Sequence, residues 1–409
     1  MSTPSDFDPF SPETIADPYP FYAALRREAP VYPLERTGYS LVSRFDDCRE
    51  IALAPERFSS NLIAIVTARS GRGPELLTIG DAPRVVDVLA IADEPDHARQ
   101  RKLSNKAFSR RRVDELEPSV RELADLLLDP ILDAGRADWM EVFANEMPTR
   151  LICRLIGLPL DDRAQLRKWA NDGSALLSGV VDEVQLAEYA GSATELTRYL
   201  AARFEEARQA PSNDVLGDFV RATQADSECL TDDEVVSILL QLLAAGTEST
   251  TALLGSAIKL LAGDDELQAF LREKPDFVGR FVEEAVRLES PFQGHFRIAN
   301  DDTTIAGVPV AAGTRLMPLW ASANRDERQF ERPSEVDVHR ANLNMHLGFG
   351  FGIHHCIGAG LARLEARVAI ERLLERTRSI RPASEQASPY VRSVFIRRLE
   401  RFELDVEPA

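Results

Sequence analysis

The stretch 347–374, LGFGFGIHHCIGAGLARLEARVAIERLL, decides how this chain is read. A glycine-rich loop runs into Cys356, and a strongly helical run follows at once. Unpaired N–H groups and the dipole at a helix start favour a thiolate there, so the placement suits a permanently deprotonated ligand. Three other readings compete. A zinc ion would need His354, His355 and Cys356 to converge from adjacent positions, and no second ligand cluster follows at zinc spacing. A phosphate loop would need a Walker lysine or a strand-loop-helix dinucleotide fingerprint, and neither surrounds these glycines. Taken alone, Cys356 also fits a buried structural cysteine beside a turn.

Working outward, the chain has 409 residues, 44% hydrophobic and 28% charged, with apolar material for a large core. Nothing inside it reads as a linker, so residues 1–409 are expected to form a single, mainly helical domain with small β-sheets, and 1–16 a flexible N-terminal arm. Lys and Arg total 48 against 66 Asp and Glu, a net charge of −18 that argues against nucleic acid or an anionic membrane as partner. No run of about 18 consecutive apolar residues occurs. The start, MSTPSDFDPF, lacks a charged n-region followed by an apolar one, so a cytoplasmic protein is expected, neither secreted nor anchored. The cysteines, Cys48, Cys153, Cys229 and Cys356, form no CxxC pair and suggest no disulfide framework.

Helical periodicity dominates from 97 to 280, after a short amphipathic helix that Pro30 stops and a strand at 38–44. Beyond Pro291, TTIAGVPVAAGTRLMPLW predicts short hairpins, and YVRSVFIRRLERFELDVE predicts strand. The longest helix is expected over 230–263, opened by a Thr231/Glu234 capping box and apolar nearly all round. Its middle nevertheless carries Gly246, Thr247, Glu248, Ser249, Thr250 and Thr251. A polar cluster at the centre of a buried helix needs a reason.

Phe349, Gly350, Gly352, His354, Cys356 and Gly358 reproduce FGxGxHxCxG, and in this the chain resembles the cytochrome P450 family. The resemblance implies the cytochrome P450 fold with a long central helix over haem b, and Cys356 as the thiolate ligand of its iron. It also implies that glycines let backbone approach sulfur and macrocycle, that Phe349 packs near the sulfur, and that His354 meets a propionate. In this family thiolate donation favours O–O cleavage.

The likeness runs along nearly the whole chain. EPDHARQRKLSNKAF at 94–108 resembles the family helix whose His97 and Arg101 hold a propionate, and i, i+4 spacing puts both on one face. Arg297 stands at another propionate-binding position, with a fork suited to a carboxylate. Glu284 and Arg287 form the family's ExxR pair, and Arg340 completes a structural Glu-Arg-Arg network. AAGTEST resembles the family's oxygen-activation motif: Ala245 and Gly246 leave room for dioxygen above the iron, and Glu248 and Ser249 deliver protons. Serine stands where threonine is usual, so the hydroxyl role is shared between Ser249 and Thr250.

The implied activity is a monooxygenase that inserts one atom of dioxygen into a hydrophobic organic substrate. Its electrons come from NAD(P)H through a separate ferredoxin or flavodoxin and its reductase. Arg99, Lys102, Arg110, Arg111, Arg112 and Arg363 are candidate docking cations. Two rivals remain: a peroxide-driven peroxygenase, whose family members carry Arg-Pro in place of the acid-alcohol pair, and a non-catalytic haem sensor. The substrate pocket is expected to draw on residues 60–92 and on Gln241, Ala244, Ala245, Gln293, Gly294, His295, Phe296 and Val394, with Gln293 and His295 able to orient a polar group.

Overall fold

The apolar run around 230–263 folds as a single helix, Asp232–Ala262, whose 31 residues reach about 46 Å. The structure, a computed structural model, describes residues 2–409 apart from 36, 63, 70–72, 79–85, 225–228, 385 and 387. The helices that frame the site are, in chain order, α1 (Tyr19–Glu28), α2 (Phe45–Leu53), α3 (Asp96–Ser104), α4 (Arg110–Ala134), α5 (Glu146–Ile156), α6 (Arg163–Ala175), α7 (Glu183–Gln209), α8 (Asp232–Ala262), α9 (Val278–Leu288) and α10 (Ala359–Arg376). The capping box predicted for α8 is present: Thr231 Oγ1 accepts from the Glu234 N–H, and the Thr231 N–H donates to Glu234. By length and composition alone α8 is long enough to cross a membrane, yet most of its apolar stretch is buried in the protein core.

Close packing holds α8 in place. Trp139 stacks on Phe143 and donates its indole N–H to the Leu254 carbonyl at 3.2 Å. Gly255 packs tightly beside them: a Cβ there would stand 2.7 Å from the Met140 sulfur and force that side chain to shift. Leu239, Leu243, Leu254 and Ile258 of α8 share one core with Leu123 and Leu128 of α4, Ile156 of α5 and Ile370 and Leu373 of α10.

The main sheet stands beside this body, with strands β1 (Val31–Leu34), β2 (Tyr39–Val42), β3 (Phe58–Ser59), β4 (Ala64–Arg69), β5 (Gly73–Thr78), β6 (Arg297–Ala299) and β7 (Arg315–Pro318) in chain order. Five of them pair as β1-β2-β7-β6-β3; β2 and β7 run parallel, and the other neighbours antiparallel. Leu316 pairs with both Ser40 and Arg297, which fixes where Arg297 leaves the sheet. β4 and β5 form a separate hairpin in the segment expected to border the substrate, and the Ala68 N–H donates to the Val181 carbonyl between α6 and α7. Other parts of that segment, 70–72 and 79–85, lie outside the described residues.

Two expectations need correction. Residues 1–16 are not a free arm over their described length. A helix at Pro12–Ala16 buries Ile15, and Arg397 donates to the Ala16 carbonyl at 3.0 Å. The C-terminal run forms a strand only at Glu403–Pro408. Residues 390–399 turn back on themselves instead: the Val391 N–H donates to the Arg398 carbonyl, those of Phe395 and Ile396 to the Ser393 hydroxyl, and those of Val394 and Arg397 to the loop carbonyls of Ser178 and Pro291. Those bonds satisfy backbone that a sheet would otherwise pair.

Candidate active site

The cysteine loop is built on a buried ion network. Arg287 donates both Nε and Nη2 to Glu284 at 2.8 Å, and Arg340 Nε donates to Glu284 at 2.9 Å. The remaining guanidinium hydrogens meet the carbonyls of Asn324, Pro333 and Glu335. All three side chains are almost wholly buried, so satisfaction of every charge is what makes their burial tolerable. Asn324 carries this rigidity onward: its amide donates to Ser290, and its Oδ1 accepts from the Leu347 N–H at 2.6 Å. Leu347 is where the cysteine loop begins.

Inside the loop, Gly350 and Gly352 both adopt φ of +69°, a region that favours glycine. Gly352 is doubly constrained, because a Cβ there would lie 2.3 Å from the Ala52 carbonyl oxygen. The Cys356 N–H donates to the Phe349 carbonyl at 2.8 Å, closing the loop just before α10. Cys356 itself is exposed. The protein around it pushes the thiol up, while the N–H groups of Gly358 and Ala359 and the charges of Arg101 and Arg363 pull it down. A coordinating metal removes the thiol proton outright.

Four nitrogen-bearing side chains gather beside this loop. His97 and His354 lie with ring centroids 4.3 Å apart. His354 Nε2 shares a hydrogen bond with Ser60 Oγ, and His97 Nδ1 lies 3.3 Å from Glu94. Their other nitrogens, His97 Nε2 and His354 Nδ1, are buried and unpartnered. Burial first, and then Arg297, His97, His295 and Arg101, lower His354 to about 3. Burial likewise lowers Arg297, to about 10, which leaves it protonated at neutral pH. Two guanidinium groups beside two imidazoles with orphaned buried nitrogens form a site suited to an anion. Two haem propionates would fit it in charge and in donor chemistry, and a lone cysteine with no other ligating cluster among the described residues would fit an iron whose other ligands a macrocycle supplies.

On α8, Ala245 is exposed and Ser249, one turn later, is half-buried on the same face. Ser249 donates to the Ala245 carbonyl at 2.5 Å. Thr247 and Thr251 donate to the carbonyls of Leu243 and Ala144, and Thr250 is buried. Glu248 points elsewhere: its Oε1 lies 3.4 Å from Arg398 Nε, and Ser174 at the end of α6 also hydrogen-bonds it. Burial pushes its carboxyl up, against the opposing pull of Arg398 and Ser174. Sequence reasoning missed Arg398, Ser174 and Ser60, none of which stands at a telling spacing.

The chain belongs to the cytochrome P450 family. The family model described as "Cytochrome P450" matches residues 186–404. The chain is 37% identical over 398 residues to cytochrome P450 144 of Mycobacterium tuberculosis, covering 97% of this chain and 91% of that one. It is 33% identical to the vitamin D(3) 25-hydroxylase of Pseudonocardia autotrophica, across 98% of this chain and 96% of the other. Among solved structures, cytochrome P450 CYP109Q5 from Chondromyces apiculatus superposes with a TM-score of 0.85 at 33% identity, covering 98% of each chain. This P450 is therefore a haem-dependent monooxygenase with the cytochrome P450 fold, as its motifs imply.

The pocket residues expected from the sequence divide. Gln293 accepts from Tyr22 and donates to the Ser290 carbonyl, so its amide is committed to the protein. Gln241 is likewise tied to the backbone of Val88 and Ala90. Gly294 sits where a Cβ would approach the Pro318 carbonyl to 2.4 Å. Phe296 stacks on Phe395. Val394 and Gln293 line an apolar cavity of about 50 Å³ between the N-terminal segment and the sheet, a lining that Gln241 and Ala244 do not share. His295 accepts from the Trp320 indole at Nδ1, and burial lowers it to about 3, so it stays neutral with its proton on Nε2.

The expected docking cations divide too. Arg99 pairs with Glu234, Arg112 with Asp218, and Arg363 with both oxygens of Glu283. Arg110 and Arg111 are highly exposed and reach their i+4 carboxylates only at 3.7 Å.

Proposed function

We propose that this P450 is a cytoplasmic monooxygenase that takes electrons from NAD(P)H through a ferredoxin or flavodoxin and oxidises a small or medium hydrophobic organic substrate. When bound, haem supplies the site where dioxygen binds and is cleaved, one atom going to substrate and the other to water. His97, Arg101, Arg297 and His354 hold its propionates; Cys356 ligates its iron; Ala245, Gly246, Phe349, Gly350 and Gly358 shape the surroundings. Arg110 and Arg111 offer the reductant its first cations.

The observation that carries the dioxygen reading is the acid-alcohol pair. Glu248 is a buried carboxyl with raised proton affinity, and Ser249, the next residue, stands on the face of Ala245. Glu248 takes up and releases a proton at Oε on the side of Arg398 and Ser174, and the Ser249 hydroxyl, by turning its hydrogen away from the Ala245 carbonyl as it accepts another at a lone pair, passes a proton on the other face. Ser249 carries this role in preference to Thr250, because Thr250 is turned into the core.

Hydrophobic substrate chemistry is supported by the apolar β4–β5 segment and by the relatives, one of which is named for vitamin D(3) and another for mycinamicin IV. Gln241 and Gln293 each commit the amide oxygen and one N–H to the protein, whereas His295 keeps the N–H at Nε2 to orient a substrate oxygen. The test is turnover of a hydrophobic library with NADPH, a ferredoxin and its reductase, compared with hydrogen peroxide alone. Product formation that depends on the electron-transfer chain supports the reading, and equal turnover with peroxide overturns it.

A further inference from the structure

Beside the cysteine loop, three groups are stacked in order. Glu283 of α9 accepts from Arg363 Nε at 2.6 Å and from Nη2 at 3.0 Å. The Arg363 guanidinium lies over the Phe349 ring, 4.3 Å from its centroid. The Phe349 carbonyl accepts from the Cys356 N–H at 2.8 Å. A fourth group braces the stack: the Gly348 N–H donates to His346 Nδ1, and His346 Nε2 meets Glu283 at 2.9 Å. Three of the four come from different segments, so the fold has to bring them together.

The arrangement does more than fill space. A bidentate carboxylate leaves the guanidinium little freedom, and the aromatic face beneath it is attractive to a cation. Burial raises the Glu283 carboxyl, but His346 and Arg363 outweigh it and hold the group down to about 2, so its charge persists through the physiological range. The side chain of Glu283 is 13% exposed and that of Arg363 39%, so the acid is fixed inside while the base is partly screened by solvent. Stacked on Phe349, whose carbonyl holds the Cys356 N–H, the Arg363 charge stands two contacts from the residue that carries the sulfur.

We propose that Arg363, clamped by Glu283 over the Phe349 ring, is a positioning residue that sets a fixed positive charge near the Cys356 sulfur and raises the reduction potential of the haem bound through it. The inference rests on Cys356 as the iron ligand. Adding an electron makes the iron-thiolate unit more negative, so a nearby cation favours the reduced state and a nearby anion disfavours it. Arg363 and Glu283 therefore act with opposite sign, although both belong to one ion pair.

That opposition separates electrostatics from mere support. The measurement is a spectroelectrochemical titration of the ferric/ferrous couple in the purified holoenzyme, for wild type, Arg363→Gln, Arg363→Lys and Glu283→Gln. The expected result is a lower midpoint for Arg363→Gln, a higher one for Glu283→Gln, and a value near wild type for Arg363→Lys, with the Gln shifts shrinking in high salt. Shifts of the same direction in both Gln variants, or none in either, overturn the proposal. If Arg363→Gln does not retain haem, the upward shift of Glu283→Gln alone decides it. The reduced carbon-monoxide spectrum of the wild type keeps the two questions apart: a missing red-shifted Soret band overturns Cys356 as ligand, whereas a present band with unmoved midpoints overturns only the tuning by Arg363.

Discussion

Arg398 Nε lies 3.4 Å from Glu248 Oε1, joining the 390–399 turn to the centre of α8. This is the cation that offsets burial of the acid, and Ser174 on α6 completes its surroundings. The same turn touches the α6–α7 connection through Val394 and Ser178, so one turn carries both the acid's partner and a residue that lines the apolar cavity.

Glu248→Gln is expected to lower kcat roughly a hundredfold, the lower end of what a positioned acid or base contributes. Arg398→Met leaves the acid in place without its cation, so Glu248 holds its proton to higher pH. The limb of the kcat profile that reports Glu248 then moves upward in pH, and Arg398→Lys restores it. An unmoved limb in Arg398→Met sinks this assignment.

Ser249→Ala removes the hydroxyl that adjoins Ala245, whereas Thr250→Ala trims a buried side chain. We expect Ser249→Ala to divert electrons from product to hydrogen peroxide, seen as a fall in product formed per NADPH. Thr250→Ala should show the smaller diversion. The reverse order would reassign the proton role.

Glu365 of α10 is 2% exposed, and its Oε2 has no hydrogen-bond partner. Burial alone holds its proton affinity well above the ordinary carboxylate value of 4.5. The folded state thus binds this proton more tightly than the unfolded state does. The stability it contributes is full below pH 4.5 and is lost as pH rises through the folded-state value. Urea unfolding at pH 5 and pH 9 should therefore show Glu365→Gln gaining on wild type as pH rises. A constant difference between the two proteins contradicts the account.

Glu284→Ala strips the shared carboxylate from Arg287 and Arg340 and leaves two guanidinium groups buried without it. The expected cost is about 3–5 kcal/mol. Because Asn324 transmits the network to Leu347, the variant should also lose the 450-type reduced carbon-monoxide band before it loses all helical circular dichroism.

Replacing Arg297 with Leu or His354 with Phe removes one charge-assisted or buried hydrogen bond to a propionate. Each such bond is worth about 1.5–3 kcal/mol, so haem should transfer to apomyoglobin roughly ten to a hundred times faster. Transfer at the wild-type rate would mean that the unpartnered His354 Nδ1 has another purpose.

Much of this was legible in local pattern because its physics is local. The i, i+4 spacing of His97 and Arg101, the Glu284/Arg287 pair and the capping box at Thr231 each act within one or two helical turns. Cys356 was legible because glycines must flank it: two left-handed backbone positions and a close approach to Ala52 leave few other residues possible. Gln293 misled for the opposite reason. Its position near the pocket is a matter of chain order, but its amide is claimed by Tyr22, 271 residues away.

The sequence by itself determined the family, the thiolate loop and the helix that carries the acid, since each depends on residues close together in the chain. Tertiary structure alone decided that Arg398 faces Glu248, that Arg363 is clamped by Glu283 instead of standing free for a partner, and that the first residues lie against the body. Those outcomes turn on which buried charge finds which partner. A chain with 48 basic and 66 acidic residues allows far more pairings than local spacing can rank, and only the packed core, by excluding water, selects among them.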